Sequence, residues 1–178
     1  SSNGGAIYIS IDSQIQEVNK GNYIIEGCTF NKCTGNMGGS IYMRQTKSYA
    51  SIQITNTIFK QCKSNSNGGA IYYFYDDDYN KFDEKIKVQN VLENCSFVEC
   101  TSALGGAIHF SINECFVPFC LTNITFLENR ASDKGGALYF SGCNLTIEKC
   151  NFANNYATEK GNDIYYYYMN YDIQSQEN

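Results

Sequence analysis

A pentad of two glycines, a small residue, an aliphatic residue and an aromatic residue recurs along this chain of 178 residues. It reads GGAIY at 4–8 and 68–72, GGSIY at 38–42, GGAIH at 105–109 and GGALY at 135–139, with a degenerate copy, GNDIY, at 161–165. Successive copies start 34, 30, 37, 30 and 26 residues apart, as expected for a fixed coil that carries loops of variable length. The repeat therefore predicts a solenoid in which each unit is one coil and not one domain.

A second aromatic column precedes each glycine pair, from the second pair onward, by eight or nine residues. Its members are Phe30, Phe59, Phe97, Phe126 and Phe152. Positions five and two residues before each Phe are expected to face inward; they are Ile25, Ile54, Leu92, Leu121 and Ile147, and Cys28, Thr57, Cys95, Ile124 and Cys150. Three residues after each Phe stands a Cys or an Asn, and we expect an inward Asn to bond the backbone of the next coil's turn.

Alternation after the glycine pairs gives a period of two, which is that of β-strands. One face is aliphatic, and the other holds Tyr8, Tyr42, Tyr72, His109, Tyr139 and Tyr165. Asp163 shares the parity of this Tyr column, which indicates that the column faces solvent. We therefore predict an all-β, right-handed parallel β-helix, a single domain over residues 1–178 with about five to six coils of about three short strands each, and glycine pairs at tight corners.

The combination of Gly-Gly-Ala-Ile with Phe-x-x-Asn resembles the repeat of chlamydial polymorphic outer-membrane proteins and of related pectin-lyase-like β-helices, over essentially the whole chain. The Asn is present in Phe126–Asn129 and Phe152–Asn155, whereas Cys replaces it after Phe30, Phe59 and Phe97. The resemblance implies a cell-surface passenger or an adhesin-like β-helix. It identifies no ligand, because the motif residues build the coil.

Nine cysteines beside a single histidine favour a secreted protein over a zinc protein. Cys33, Cys62 and Cys100 follow the Phe on three successive coils and form a candidate disulfide column, in which Cys62 can bridge only one neighbour. A second candidate cluster in loops consists of Cys115, Cys120 and Cys143. The remaining three are interpreted as buried thiols that fill inward sites.

Three glycosylation sequons also fit an extracellular or cell-surface protein. They begin at Asn94, Asn123 and Asn144. Asn94 and Asn123 stand three residues before a Phe, beside an inward position, so both side chains are expected to point outward. We expect these asparagines to carry glycans.

Several functional classes find little support in the sequence. The net charge of -5 and the scattered basic residues argue against a nucleic-acid partner, and no apolar run is long enough to span a bilayer. The acidic segment Asp76–Asp78, with Asp83 and Glu84 nearby, could gather oxygens around calcium, but a solvated acidic loop is the favoured interpretation. No cofactor is predicted.

An enzyme is not expected either. Polysaccharide lyases and hydrolases use this fold, but no catalytic pair of carboxylates or carboxylate–arginine cluster can be assembled. Arg44 and Arg130 are the only arginines, and His109 is interpreted as a replacement for Tyr.

The leading hypothesis is an extracellular structural or surface-display module. An adhesin or carbohydrate-binding module that uses the Tyr column and a polysaccharide-cleaving enzyme are the alternatives. For the Tyr column itself, stacking within the chain is the competing explanation.

The end of the sequence suggests how units join. If the end is connected to the start, Ile173 falls nine residues before Gly4, the interval that separates Phe59, Phe126 and Phe152 from their glycine pairs. We therefore expect copies to continue end to end, as tandem repeats or as head-to-tail subunits, with six coils and an axial repeat of roughly 29 Å.

Overall fold

The chain folds as a parallel β-solenoid in a computed structural model that describes residues 2–12, 21–46, 50–76, 89–113, 118–142 and 144–167. Within these ranges the regular elements are all β-strands. The predicted all-β parallel β-helix is confirmed. Each coil contributes four strands instead of the expected three, because a short ladder also forms between the Phe strand and the glycine pair.

The strands form four parallel sheets, which we number in the order that a coil visits them. Sheet 1 contains Ile7–Asp12, Ile41–Thr46, Ile71–Asp76, Ile108–Asn113, Leu138–Ser141 and Ile164–Tyr167. Sheet 2 contains Asn22–Glu26, Ser51–Thr55, Asn90–Glu93, Pro118–Thr122 and Asn144–Glu148. Sheet 3 contains Thr29–Asn31, Ile58–Lys60, Ser96–Val98, Thr125–Leu127 and Asn151–Ala153. Sheet 4 contains Thr34–Gly35, Lys63–Ser64, Thr101–Leu104, Arg130–Lys134 and Tyr156–Ala157.

Equivalent residues of neighbouring coils pair with each other, so each sequence column is a physical ladder. Phe97, for example, pairs with Phe59 on one side and with Phe126 on the other. We number the coils by their Phe residues, from coil 1 at Phe30 to coil 5 at Phe152. The chain completes about four turns between these two residues, slightly fewer than the predicted five to six coils.

The glycine pairs lie at tight corners, as predicted. Gly68, the first of its pair, has a φ of 61°, a left-handed conformation that glycine adopts without strain. A Cβ on its neighbour Gly69 would overlap the carbonyl oxygen of Gly106 in the next coil. The second glycine is therefore required because two backbones meet there.

Two further corners turn through left-handed residues that are mostly not glycine. Between sheets 2 and 3 these residues are Gly27, Asn56, Asn94, Asn123 and Lys149. Between sheets 3 and 4 they are Lys32, Gln61, Glu99, Glu128 and Asn154. Asn is the residue other than glycine that tolerates this conformation best, which explains its recurrence at the first of these corners.

The core is a continuous column of inward side chains. Phe59, Phe97 and Phe126 are fully buried, as predicted for the Phe column. In coil 5, however, Ile147 is 37% exposed although its partner Leu121 is 0% exposed. Ile147 therefore occupies the predicted inward column, and its exposure arises because no further described coil covers it.

The inward asparagines bond the preceding coil, which corrects the predicted direction. Asn129 donates from Nδ2 to the carbonyl oxygen of Phe97 (3.0 Å) and accepts from the backbone N–H of Cys100 (3.0 Å). Asn155 repeats this arrangement one coil later, donating to Phe126 O and accepting from Asn129 N. Each Asn thus satisfies buried backbone groups that the sharp turn leaves unpaired.

Candidate functional site

The Tyr column forms an unbroken aromatic ladder on the outer face of sheet 1. Ring centroids lie 5.0 Å apart for Tyr8–Tyr42, 5.6 Å for Tyr42–Tyr72, 5.1 Å for Tyr72–His109, 4.4 Å for His109–Tyr139 and 5.3 Å for Tyr139–Tyr165. These separations are those of interacting aromatic rings. Each side chain is therefore placed by its equivalent in the coils above and below.

The predicted solvent exposure of this ladder is wrong in its middle. Tyr8 is 57% exposed, but Tyr42 (8%), Tyr72 (7%) and His109 (5%) are buried. Rings that interact with both neighbours have little surface left, and Phe74 also packs against Tyr72. Because their faces are occupied, the middle rings offer no platform on which a sugar could stack, and this favours stacking within the chain.

His109 is a neutral member of the ladder. Its ring meets Tyr72 edge to face, and its Nδ1 has no hydrogen-bond partner among the described residues. Burial lowers the pKa of the imidazole to about 3. These features support its interpretation as a Tyr replacement, because a catalytic base needs an accessible nitrogen.

The candidate disulfide column is a column of free thiols. Cys62 and Cys100 are both fully buried, and Ser40 Oγ donates to Cys62 Sγ at 2.9 Å. The hydrogen bond to Cys62, together with burial, raises the pKa of the Cys100 thiol well above its ordinary value. Cys33 is also free and only partly buried. No disulfide joins these cysteines in the structure, and the bridge within this column stays a prediction.

The second cysteine cluster cannot be assembled. Cys115 and Cys143 lie outside the described residues, and Cys120 is a free, partly exposed thiol 3.4 Å from Thr122 Oγ1.

The cysteines two positions before Phe behave as inward thiols. Cys95 donates to the carbonyl oxygens of Ile54 and Glu93, and Cys150 donates to that of Leu121. Cys95 is buried, whereas Cys28 and Cys150, in the first and last coils, are partly buried. This agrees with the interpretation of these residues as space-filling thiols.

The three sequon asparagines are all exposed. Asn94 and Asn123 occupy the left-handed corner between sheets 2 and 3, and Asn123 Nδ2 donates to Asn94 Oδ1 at 2.7 Å. Asn144 begins a strand of sheet 2. A structural role at the corner therefore explains Asn94 and Asn123 without any modification. The exposure of all three asparagines is compatible with an attached glycan.

The acidic segment gives no metal site among the described residues. Asp76 ends a strand of sheet 1, and Asp77, Asp78, Asp83 and Glu84 lie outside the described ranges. The described residues contain no cluster of histidine, cysteine or carboxylate side chains that could hold a metal ion. The described part of the chain also has no helix that could cross a membrane.

A family model described as the Chlamydia polymorphic membrane protein repeat matches residues 123–141. This segment runs through Phe126, Asn129 and the glycine pair at 135–136, so the match falls on the residues that build coil 4. The resemblance seen in the sequence is therefore confirmed at the level of the repeat and the parallel solenoid. Searches of curated proteins and of solved structures gave no significant match.

Proposed function

We propose that this chain is a structural segment of a cell-surface β-helix, without enzymatic activity, whose ends stack on further copies of the same solenoid. The proposal is supported by the match to the Chlamydia polymorphic membrane protein repeat at 123–141. It is also supported by the inward Asn129 and Asn155, whose side chains hydrogen-bond the backbone of neighbouring coils. The observation that carries it is the loss of burial at both ends of the ladders.

The Phe column shows this loss directly. Its three middle members are fully buried, whereas Phe30 and Phe152 keep part of their surface open. The same loss of burial is seen between the ladder partners Leu121, which is fully buried, and Ile147, which is 37% exposed. An additional coil stacked on either end would bury this apolar surface and pair the backbone groups of the edge strands, a favourable change on both counts.

Stacking between copies predicts self-association of the intact chain that depends on protein concentration. Ile147→Lys places a charge on the open end of coil 5, so we expect this variant to stay monomeric in light scattering at concentrations where the wild type associates. Ile24→Lys is a matched control because Ile24 is 60% exposed on the side of sheet 2.

The control should associate like the wild type, and electron micrographs of associated material should show filaments with an axial repeat of roughly 29 Å. A wild-type chain that remains monomeric at every concentration, with no filaments, would refute end-to-end stacking.

Exposure on the cell surface predicts that Asn94, Asn123 or Asn144 carries a glycan in material from the native source. Intact-mass measurement before and after glycosidase treatment tests this, with Asn56 as an internal control because it occupies the same corner without a sequon. Unmodified mass at all three sites would remove the support that the sequons give to an extracellular location.

A further inference from the structure

We propose that the outer face of sheet 4 is a binding groove for an extended, negatively charged glycan. The groove has a volume of about 540 Å³ and crosses coils 2 to 5. It lies on a different sheet from the Tyr column and does not depend on the structural role proposed above.

The groove exists because one coil is shorter than its neighbours. In coil 3, three residues lie between Thr101 at the start of the sheet 4 strand and Gly105 of the glycine pair. In coil 4, four residues lie between the equivalent Arg130 and Gly135. Coils 2 and 5 also use four residues at this place. The missing residue shifts the register between coils 3 and 4 after Ser102. In the short coil, Ser102 and Ala103 line the groove and form its floor between two longer coils.

Four outward side chains follow each other along the groove, one from each coil. They are Lys63, Thr101, Arg130 and Tyr156, and they are direct neighbours in the ladder of sheet 4. The order along the solenoid axis is therefore cation, hydroxyl, cation, aromatic ring. Tyr156 is 49% exposed, unlike the stacked middle rings of the Tyr column.

The charge of the groove is positive although the whole chain carries a net charge of -5. Its lining contains Lys63 and Arg130 and no carboxylate. Among the carboxylates beside the lining, Asp133 and Glu159 both pair with Lys134, and Glu99 accepts from the neutral amide Nε2 of Gln61 at 2.6 Å. Within the described residues, neither Lys63 nor Arg130 forms an ion pair, so both remain available to an anion.

This chemistry fits a glycan better than a peptide. Coils succeed each other at about 4.8 Å, which is close to the length of one pyranose unit, so successive sugars can meet successive coils. Hydroxyl groups and an open Tyr ring suit the polar edges and the apolar face of a pyranose. Lys63 and Arg130, two coils apart, would meet carboxylate or sulfate groups on alternate sugars. The lining offers no deep apolar pocket for peptide side chains.

Binding of defined hexasaccharides to the full chain tests the proposal. Calorimetry should detect binding of hexagalacturonate or of a chondroitin sulfate hexasaccharide, which separate carboxylate from sulfate recognition, and should detect none for maltohexaose. The double variant Lys63→Gln/Arg130→Gln should bind the charged probe at least ten-fold more weakly. Tyr156→Ala should weaken binding and leave its salt dependence unchanged.

Lys60→Gln is the matched control, because Lys60 is an exposed cation in coil 2 on sheet 3. It should bind like the wild type, and backbone amide signals of Thr101 and Ala103 should shift on addition of the charged probe. Absence of binding by both charged probes, equal binding of maltohexaose, or equal weakening by Lys60→Gln would overturn the assignment. None of these results bears on end-to-end stacking, which is measured without ligand.

Discussion

The solenoid contains two aromatic ladders built by the same repeat, and they differ in how regularly their rings are oriented. In the inner Phe column, neighbouring rings are nearly parallel, with interplanar angles between 1° and 11°. In the outer Tyr column, the angles range from 6° to 87°. Both ladders have the same coil spacing, so spacing alone does not set the orientation of a ring.

The surroundings of the rings explain the difference. The inner Phe rings lie in the core, where Phe59, Phe97 and Phe126 are fully buried, and close packing leaves one arrangement. The outer column has a different neighbour at each level: Phe74 beside Tyr72, His109 in place of a Tyr, and solvent at Tyr8. A repeat therefore fixes side-chain geometry more tightly in the close-packed core than at the surface.

The inner ladder should be the more costly one to interrupt. We expect Phe97→Ala to lower the free energy of unfolding by about 3 to 5 kcal/mol, because the ring is fully buried between Phe59 and Phe126 and its loss leaves a cavity. Urea denaturation followed by circular dichroism measures the effect.

Acidification should act on the outer ladder through His109. The pKa of His109 is about 3 in the folded chain, whereas its ordinary value, which applies to the unfolded chain, is 6.5. Between these pH values the unfolded state binds more protons than the folded state, so the free energy of unfolding falls as the pH drops. From pH 7.5 to 5 the loss should be about 2 kcal/mol.

His109→Tyr restores the column residue and removes the titrating group, while every carboxylate is retained. The pH dependence of unfolding should therefore be weaker in this variant than in the wild type. Identical slopes for the two proteins would show that His109 is not buried in a neutral form.

The smallest effect is expected at the periphery of the outer ladder. Tyr139→Ala removes ring contacts to His109 and Tyr165 but only a partly buried side chain, so we expect a cost of about 1 kcal/mol in the same urea experiment. If Tyr139→Ala and Phe97→Ala destabilise equally, the two ladders have been assigned to the wrong faces.

The sequence revealed the fold because its strongest signals are backbone requirements. Gly69 is needed where the backbones of two coils meet, and the nearly constant interval of eight or nine residues from Phe to the glycine pair sets the register. The fourth strand was missed because pairs such as Thr34 with Lys63 and Arg130 with Tyr156 share no side-chain character. Burial of Tyr72 was missed because alternation separates two faces but does not say what covers either.

The candidate surfaces were less predictable for the same reason. The thiols of Cys62 and Cys100 adjoin as expected from their column, but adjacency does not specify a covalent bond. The groove on sheet 4 depends on a single missing residue in coil 3, which is visible in the sequence as an interval of eight instead of nine between Phe97 and Gly105. That signal acquires meaning only when the neighbouring coils are known to be longer.

The corner between sheets 1 and 2 has a consequence for how such a chain can change over evolutionary time. The chain inserts residues 77–89 there between two strands in one coil and only residues 142–143 in another, yet the paired strands on either side stay in register. Insertions and deletions at this one corner leave every ladder intact, so they escape the selection that preserves the core. A solenoid built this way can diversify one edge, coil by coil, while its scaffold remains unchanged.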